Sequence, residues 1–376
     1  MAVTTSTTES TPTVRTTGRL PGPDVVRAVA LIGVVVMNYH GYLILQGTGG
    51  PRTGWLEELF DPWTGPLGTR FAATFVLVAG VGVALMTAST LAQGRDSDDP
   101  DVATAVRAMR WRLVRRGLFL YVVGVLLDEV WPGTILVYYG AMFAIAAAMF
   151  TWRSRWIVLV GVAAALAGAG LRWWRWERAE DGVSTRWLTD PDDGSPLDYV
   201  FGLVVNGTHP LLPWLAFFCA GIVLGRVLRT SWWRPVTIAT GMTLYVLATL
   251  AAATPATGLA TIVLSTDPFE RSLVYVASAL GTALVAYGVI DWIATRFERG
   301  TDPLRRAGQM TLTLYLLHVL VFELVVDWLG WVEPAGVEVA LAFALGFWVA
   351  GIVGATLWHR RFGMGPAERV YRAIGG

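Results

Sequence analysis

Ten stretches of mostly apolar residues, each about twenty residues long, dominate this chain of 376 residues. A helix of about 20 apolar residues crosses the hydrocarbon core of a bilayer. Backbone polar groups in lipid must be satisfied internally, so each crossing segment should be a helix. The sequence therefore predicts an all-α integral membrane protein of about ten transmembrane helices, at residues 24–46, 67–92, 113–131, 133–151, 155–173, 208–228, 234–254, 270–294, 304–330 and 336–357.

The arginines lie almost entirely on alternate connections, and the chain contains no lysine. Arginine-rich segments face the cytoplasm by the positive-inside rule. Both termini should then be cytoplasmic, which requires an even number of spans, in a multi-pass protein of the plasma membrane. The connections concerned are residues 15–19, 95–116, 153–155, 226–234, 296–306 and 360–372.

We predict a single membrane domain at residues 21–357 between two polar segments. Residues 1–20 are rich in Thr and Ser without the apolar core of a signal peptide, which predicts a disordered cytoplasmic tail. Residues 358–376 form a cytoplasmic C-terminal tail. On the other side, residues 174–207 form the longest connection, for which a lid, a short interfacial helix at 197–205 and a substrate-binding surface are the alternatives.

The single cysteine, Cys219, cannot form an intrachain disulfide and fits the role of a small buried side chain.

Polar residues in the first span fall into two groups. Asp24 and Arg27 stand three residues apart at its cytoplasmic end, where they can pair and cap the helix. Asn38 and His40 lie about 21 and 24 Å further along the helix axis. Charged and titratable groups are costly inside a membrane, so each one needs a physical reason.

Two further histidines share the depth of His40, near the outer face. His318 lies about 21 Å beyond Leu304 in the ninth span, and His209 opens the sixth span. A histidine in an apolar helix serves either as hydrogen-bonded packing or as a general base near neutral pH. We predict His40 as the base, Asn38 as the group that orients the reacting atoms, and His318 as the main rival of His40. No zinc-type spacing is present, so we expect no metal.

Several motifs resemble those of one family. The segment from Asp24 and Arg27 to Asn38 resembles the opening Asp-x-x-Arg-Gly-x-Ala-Leu and downstream Asn of the heparan-alpha-glucosaminide N-acetyltransferase-like and YeiB-type transmembrane acyltransferases. The ending Gly-Pro-Ala-Glu-Arg-Val-Tyr-Arg at 365–372 resembles the Gly-Pro-Leu-Glu-Trp-x-x-Arg of the YeiB-type proteins. Further matches, in the expected order, are residues 210–214, Gly221, residues 225–226 and residues 308–318.

The resemblance implies a helix bundle that takes an acyl group, typically acetyl, from acyl-CoA on the cytoplasmic side and delivers it to a sugar on the far side. The expected function is thus an acyl-CoA-dependent acyltransferase acting on a cell-envelope glycan or glycolipid. Several positions depart from the family pattern, among them Ala28 in place of the Gly of the opening motif. The heparan enzymes carry their catalytic histidine eleven residues after the matched Asn, at the place of Gly49, and the YeiB-type Gly-Asp-Ile-Leu has Thr134 in place of its acid.

The basic residues have two interpretations each. The arginines between 107 and 116 either anchor the topology on anionic lipids or also hold the phosphates of CoA, for which Arg110, Arg112, Arg115 and Arg116 are the candidates. Arg70 either snorkels to the outer interface or binds an anionic acceptor. We place His209 and Trp214 with Arg70 in the substrate site. Nucleic-acid binding is not expected so close to the membrane, and a homodimer is left open.

Two other classes of function compete with the enzyme. A proton-coupled transporter or flippase would use the intramembrane histidines and Glu323 as a proton relay. A non-catalytic envelope scaffold is the third class. The transporter would be favoured by paired broken helices at the midplane, a pattern that the Gly and Pro positions do not clearly show.

Overall fold

The computed structural model describes residues 20–47, 53–94, 99–190 and 195–376. The regular secondary structure of these residues is all helical, with no β-strand among them. Short π-helical segments at 202–206 and 323–328 extend α8 and α14. The helices are α1 (Pro21–Gln46), α2 (Trp55–Phe60), α3 (Arg70–Ala92), α4 (Pro100–Asp128), α5 (Leu136–Met149), α6 (Ser154–Glu180), α7 (Arg186–Thr189), α8 (Pro196–Phe201), α9 (Leu211–Val227), α10 (Trp233–Ala252), α11 (Leu259–Val263), α12 (Leu273–Arg296), α13 (Glu298–Gly308), α14 (Thr311–Phe322), α15 (Val337–Phe362) and α16 (Pro366–Gly375).

Each of the ten predicted segments falls on a helix, which confirms a helical membrane protein. Among the described residues, seven helices are long and apolar enough to cross a bilayer, and an eighth crossing results if a pair bent by 53°, Pro196–Asn206 with Leu211–Val227, counts as one span. The count of ten and the orientation of the termini stay predictions. The seven are Pro21–Gln46, Arg70–Ala92, Ser154–Glu180, Trp233–Ala252, Leu273–Arg296, Thr311–Trp328 and Val337–Phe362.

The arginine cluster lies on a helix, and its assignment to a connecting loop was wrong. The Asp99 side chain accepts a hydrogen bond from the Asp101 backbone N–H at 2.9 Å, and Pro100 occupies the first turn. An N-cap carboxylate followed by proline is a favourable helix start. Helix α4 therefore begins before the cluster and continues without interruption to Asp128.

The predicted ninth span is broken near its start. Helix α13 ends at Gly308 and α14 begins at Thr311. At Gly308 a Cβ atom would lie only 1.8 Å from the Asp24 carbonyl oxygen, so glycine lets the two backbones touch there. At the other end of the bundle, residues 197–205, for which an interfacial helix was one of three alternatives, form α8 and the π-helical segment after it.

Helix α1 lies at the centre of the bundle, against α3, α12, α13, α14 and α15. It runs in the same direction as α14, because Tyr39 donates to the His318 carbonyl at 2.9 Å and Gln46 donates to Asp327 at 2.9 Å. We call the end of the bundle that holds Pro21 the termini side and the end that holds Gln46 the far side.

Helices α3 and α9 also approach at small residues. A Cβ atom at Gly221 would lie 1.9 Å from the Leu77 carbonyl oxygen, and one at Gly80 would lie 2.1 Å from that of Phe218. Close backbone packing of this kind holds helices together in lipid, where burial supplies no driving force between them. Cys219 lies buried on α9, next to Gly161 of α6.

The C-terminal tail predicted at 358–376 contains ordered structure. The end of α15 occupies its first residues, and α16 packs against α4 and α14 on the termini side. The predicted N-terminal tail falls almost entirely outside the described residues. The C-terminal segment therefore belongs to the helical bundle.

The arginine distribution predicts which side is cytoplasmic. Cys219 can be replaced by alanine, and new cysteines can be placed at Thr104 on the termini side and at Ser184 on the far side, both exposed. On intact cells, a membrane-impermeant thiol reagent should label Ser184→Cys and should label Thr104→Cys only after permeabilisation. The reverse pattern would show that the orientation is inverted.

Candidate active site

Two cavities of similar size enter the bundle from opposite sides. The far-side cavity holds about 300 Å³ and is lined by Asn38, Tyr42, Trp131 and His209 among others. The termini-side cavity holds about 290 Å³ and has Arg116 at its wall. Tyr315 lines both cavities.

Tyr315 and the segment before α5 separate the two cavities. The Tyr315 hydroxyl lies 3.0 Å from the Thr134 hydroxyl and accepts a hydrogen bond from the Ile135 backbone N–H at 3.2 Å. Ile135 lines the far-side cavity, whereas Leu136 lines the termini-side cavity. We call Tyr315 with residues 134–136 the septum, a barrier about one side chain thick.

His318 and Asn38 meet beside the septum. The Asn38 Nδ2 atom lies 3.1 Å from the His318 Nε2 atom, while His318 Nδ1 contacts the Tyr315 carbonyl oxygen. A carbonyl oxygen can only accept, so Nδ1 carries the proton and Nε2 is a free base that accepts from the Asn38 amide. His318 is fully buried, and its neighbours Asn38 and Tyr315 line the far-side cavity.

His40 points away from both cavities. It is fully buried, with Nδ1 donating to the Phe60 carbonyl at 2.8 Å and Nε2 3.0 Å from a Glu57 carboxylate oxygen. The other Glu57 oxygen accepts from the Val337 backbone N–H at 2.8 Å. His40 therefore joins α1 to α2 and, through Glu57, to the start of α15. Gly49, the family position of the catalytic histidine, lies outside the described residues.

The three residues placed in the substrate site have different surroundings. His209 lines the far-side cavity, and Trp214 is buried behind it with ring centroids 4.5 Å apart. Arg70 is buried beside that cavity, its guanidinium 5.5 Å from the Tyr275 ring centroid. Of the three residues, His209 therefore lines the cavity, and Trp214 packs against the His209 ring from behind.

The termini-side cavity combines an apolar wall with a few polar groups. The Arg116 guanidinium lies 5.0 Å from the centroid of the Tyr371 ring, and its buried Nε atom has no hydrogen-bond partner among the described residues. Arg27 and Gln309 line the same cavity. Two cations, an amide and the Glu368 carboxylate therefore line a mainly apolar space.

The remaining arginines of the cluster divide between two faces of α4. Arg115 donates to the Gly375 carbonyl at 3.4 Å, and the Arg112 guanidinium lies near Gly376. Arg110 is exposed, with Trp111 and Arg107, on a different face of the helix. Of the four predicted CoA ligands, only Arg116 lines the termini-side cavity.

Two motif residues hold this cavity together. One Glu368 carboxylate oxygen accepts from the Leu312 and Thr313 backbone N–H groups at 2.7 and 3.1 Å, and the other accepts from the Thr313 hydroxyl at 2.6 Å. Glu368 therefore caps the start of α14, where a helix favours negative charge. Asp24 pairs with Arg27 at 3.3 Å as predicted, and it also accepts from Gln309 at 3.0 Å.

Sequence reasoning did not single out Tyr315, Glu368, Tyr371 or Gln309. All four lie within the motif segments 308–318 and 365–372. Their order in the chain carries no signal of their contacts, because the septum and the cap join residues more than fifty positions apart. The only available signal was the family motif itself.

The fold and the paired cavities define a polytopic helical membrane protein with a septum at its centre. A family described as heparan-alpha-glucosaminide N-acetyltransferase, catalytic, matches residues 19–254, more than half of the chain, so the chain belongs to that family. A second family, described as a protein of unknown function (DUF418), matches residues 224–375. No curated protein matches the chain. The family matches confirm the resemblance drawn from the motifs.

We expect the contact between His40 and Glu57 to stabilise the fold. Replacing either residue with alanine should lower the free energy of unfolding. The double variant should lose less than the sum of the two, with a coupling of about 0.5–3 kcal/mol, because the residues share one buried contact. Unfolding of the protein in detergent measures this coupling. Glu58→Ala, at an exposed neighbour on α2, is the control. Unchanged stability in His40→Ala would contradict a structural role.

Proposed function

We propose that this protein is a membrane acetyltransferase that takes an acyl group from acyl-CoA at the termini-side cavity and passes it to an acceptor in the far-side cavity. One observation carries the proposal: two opposed cavities meet at a single side chain, Tyr315. Family membership supports the chemistry. With the termini side in the cytoplasm, cytoplasmic acyl-CoA would supply an acceptor in the cell envelope.

The termini-side cavity suits the acyl end of acyl-CoA. Its wall is mainly apolar, as an acyl chain and a thioester require, and Arg116 and Arg27 offer positive charge for phosphates. The unpartnered Nε of Arg116 is a buried donor without an acceptor, which a phosphate or carbonyl oxygen would satisfy. The cavity is too small for a whole CoA molecule, so the nucleotide end would lie outside it, along α4 and α16.

We assign the general base to His318 in place of His40. Its Nε2 accepts from Asn38, which lines the far-side cavity, and its ring centroid lies 4.9 Å from that of Tyr315, where the two cavities meet. Both nitrogens of His40, in contrast, are engaged in structural contacts. Rotation of the Asn38 side chain would expose His318 Nε2 to an acceptor in the far-side cavity. Asn38 keeps its predicted role of orienting the reacting group.

The reaction at this position would proceed by proton transfer and acyl exchange. His318 Nε2 takes a proton from the amino or hydroxyl group of the acceptor while that group attacks the thioester carbonyl carbon. The new bond to nitrogen or oxygen forms as the carbon–sulfur bond breaks. The proton then passes from His318 to the departing CoA thiolate, so the base is restored.

The assignment of the base predicts a selective loss of turnover. His318→Gln should lower acetyl transfer about 100-fold to 10,000-fold, the usual contribution of a general base, while acetyl-CoA still binds. Transfer is measured with labelled acetyl-CoA and envelope extract as acceptor. His359→Gln, at a histidine that lines neither cavity, is the control and should retain most activity. If His318→Gln keeps normal turnover while His209→Gln or His40→Gln loses it, the general base is that other histidine.

The division of the arginine cluster predicts which residue anchors the donor. Arg116→Gln should weaken acetyl-CoA binding about tenfold or more, because a charge-assisted contact contributes about 1.5–3 kcal/mol. Arg110→Gln removes the same charge from an exposed face of the same helix and should leave the affinity nearly unchanged. Titration of purified protein with acetyl-CoA gives both affinities. Equal weakening in the two variants would indicate general electrostatic attraction only.

Opposed cavities also suit a proton-coupled transporter, the second candidate function. The predicted relay would need His318 to exchange protons with Glu323. Among the described residues, the contacts of the His318 ring nitrogens are to Asn38 and a backbone carbonyl, and Glu323 lines neither cavity. The enzyme is therefore the better supported of the two. Proton-coupled uptake without acetyl-CoA turnover would favour the transporter.

A further inference from the structure

A third cavity, of about 210 Å³, lies on the far side between α6, α9 and the turn before α12. Three arginines line it: Arg172 and Arg175, one helical turn apart on α6, and Arg271. We call it the arginine cavity. Neither the family motifs nor the proposed transfer step uses these residues.

The arginine cavity holds more positive than negative charge. Arg172 forms an ion pair with Glu270 at 2.8 Å. Among the described residues, the Glu270 carboxylate is the one that faces these three arginines. The buried Nε atom of Arg175 has no hydrogen-bond partner in the described part of the chain. Burial, and secondly the charge of Arg175, lower the pKa of Arg271 to about 10, so Arg271 still carries its charge at neutral pH. Among the described residues, two of the three charges therefore have no carboxylate partner.

Arg271 has a strained backbone conformation. Its φ of 53° lies in the left-handed region, which a residue with a Cβ atom seldom adopts. One guanidinium nitrogen donates to the Asn206 and Gly207 carbonyls at 3.1 and 2.9 Å. These hydrogen bonds hold the Arg271 side chain in place at the wall of the arginine cavity.

The arginine cavity adjoins the far-side cavity. Phe269 lines both, and the segment from Asn206 to His209 runs from one to the other. A molecule with an anionic group in the arginine cavity could therefore present another part of itself to the far-side cavity.

We propose that Arg172, Arg175 and Arg271 bind a phosphate ester group of the acceptor. Guanidinium groups match phosphate oxygens in geometry, and the two positive charges that have no described carboxylate partner match a phosphate dianion. The acceptor role rests on the proposed function, whereas phosphate binding itself does not. Such a group belongs either to a membrane lipid or to a water-soluble phosphate, and both share this chemistry.

Phosphate binding is tested on the purified full-length protein in detergent, without acyl-CoA. The probes are inorganic phosphate and short-chain phosphatidic acid, with the matching diacylglycerol as the uncharged control. Wild-type protein should bind at least one phosphate probe and should not bind diacylglycerol through this site. Preference for phosphatidic acid assigns a lipid source, and preference for inorganic phosphate assigns a soluble one. Binding of neither phosphate probe overturns the proposal.

Arg175→Gln is the variant of choice, because Arg175 Nε makes no hydrogen bond that the fold could lose. It should weaken phosphate binding about tenfold or more. Arg178→Gln removes an equal charge one turn away, from an exposed guanidinium that stacks on Trp174, and should leave binding unchanged. Unchanged binding in Arg175→Gln, or an equal loss in Arg178→Gln, overturns the proposal.

Two further measurements separate this proposal from folding and from the proposed function. Arg175→Lys keeps the positive charge. If Arg175→Gln loses phosphate binding, Arg175→Lys should retain part of it. A lysine variant that has normal thermal stability but binds no phosphate counts against a charge-based site. If wild-type protein binds phosphate but transfers no acetyl group, the site stands and the enzyme assignment fails. If transfer proceeds but does not depend on Arg175, the acceptor role fails.

Discussion

The contact of α1 with the segment from α13 to α14 is the interaction on which the rest of the structure depends. It begins where Gly308 touches the backbone of Asp24 and ends where Gln46 reaches Asp327. A side chain at position 308 would separate the helices at one end, and the distance from Asn38 to His318 would grow with it. Since lipid supplies no driving force for helix burial, this register depends on close packing and polar contacts alone.

Many polar groups inside this bundle are paired. Several buried side-chain atoms among the described residues have no hydrogen-bond partner, and some of these belong to residues that line a cavity whereas others do not. His40, Asp24 and Glu368 each have fixed partners that join distant helices. By contrast, buried nitrogens of Arg116 and Arg175 lack partners, and each belongs to a residue that lines a cavity. An unsatisfied buried donor costs about 1–3 kcal/mol, so these positions are where a ligand gains most.

The sequence predicted the membrane class and the helices well, because apolar length and arginine placement are local properties. It also predicted the pairing of Asp24 with Arg27, three residues apart on one helix. Contacts between residues far apart in the chain could not be predicted from local properties. Equal depth suggested that His40 and His318 compete for one task, yet depth along a helix does not fix the direction of a side chain: Asn38 faces His318, whereas His40, two residues on, faces α2. The start of α4 was not predicted, because a segment rich in arginine is not apolar enough to be recognised as part of a membrane helix. In the structure this segment is helical and is capped by Asp99.

The departure at Thr134 gains a physical meaning from the septum. Where the YeiB-type motif has an acid, this chain has a hydroxyl that lies 3.0 Å from the hydroxyl of Tyr315, and both groups are buried. A carboxylate in the same place would carry a charge into a nearly dry contact and would need a cation that the described neighbours of Thr134 do not offer. Parting two neutral hydroxyls costs less than parting a buried ion pair, because no uncompensated charge is left behind. If acyl transfer proceeds as we propose, the septum must admit an acyl group and close against water and protons, and a pair of hydroxyls suits this better than an ion pair.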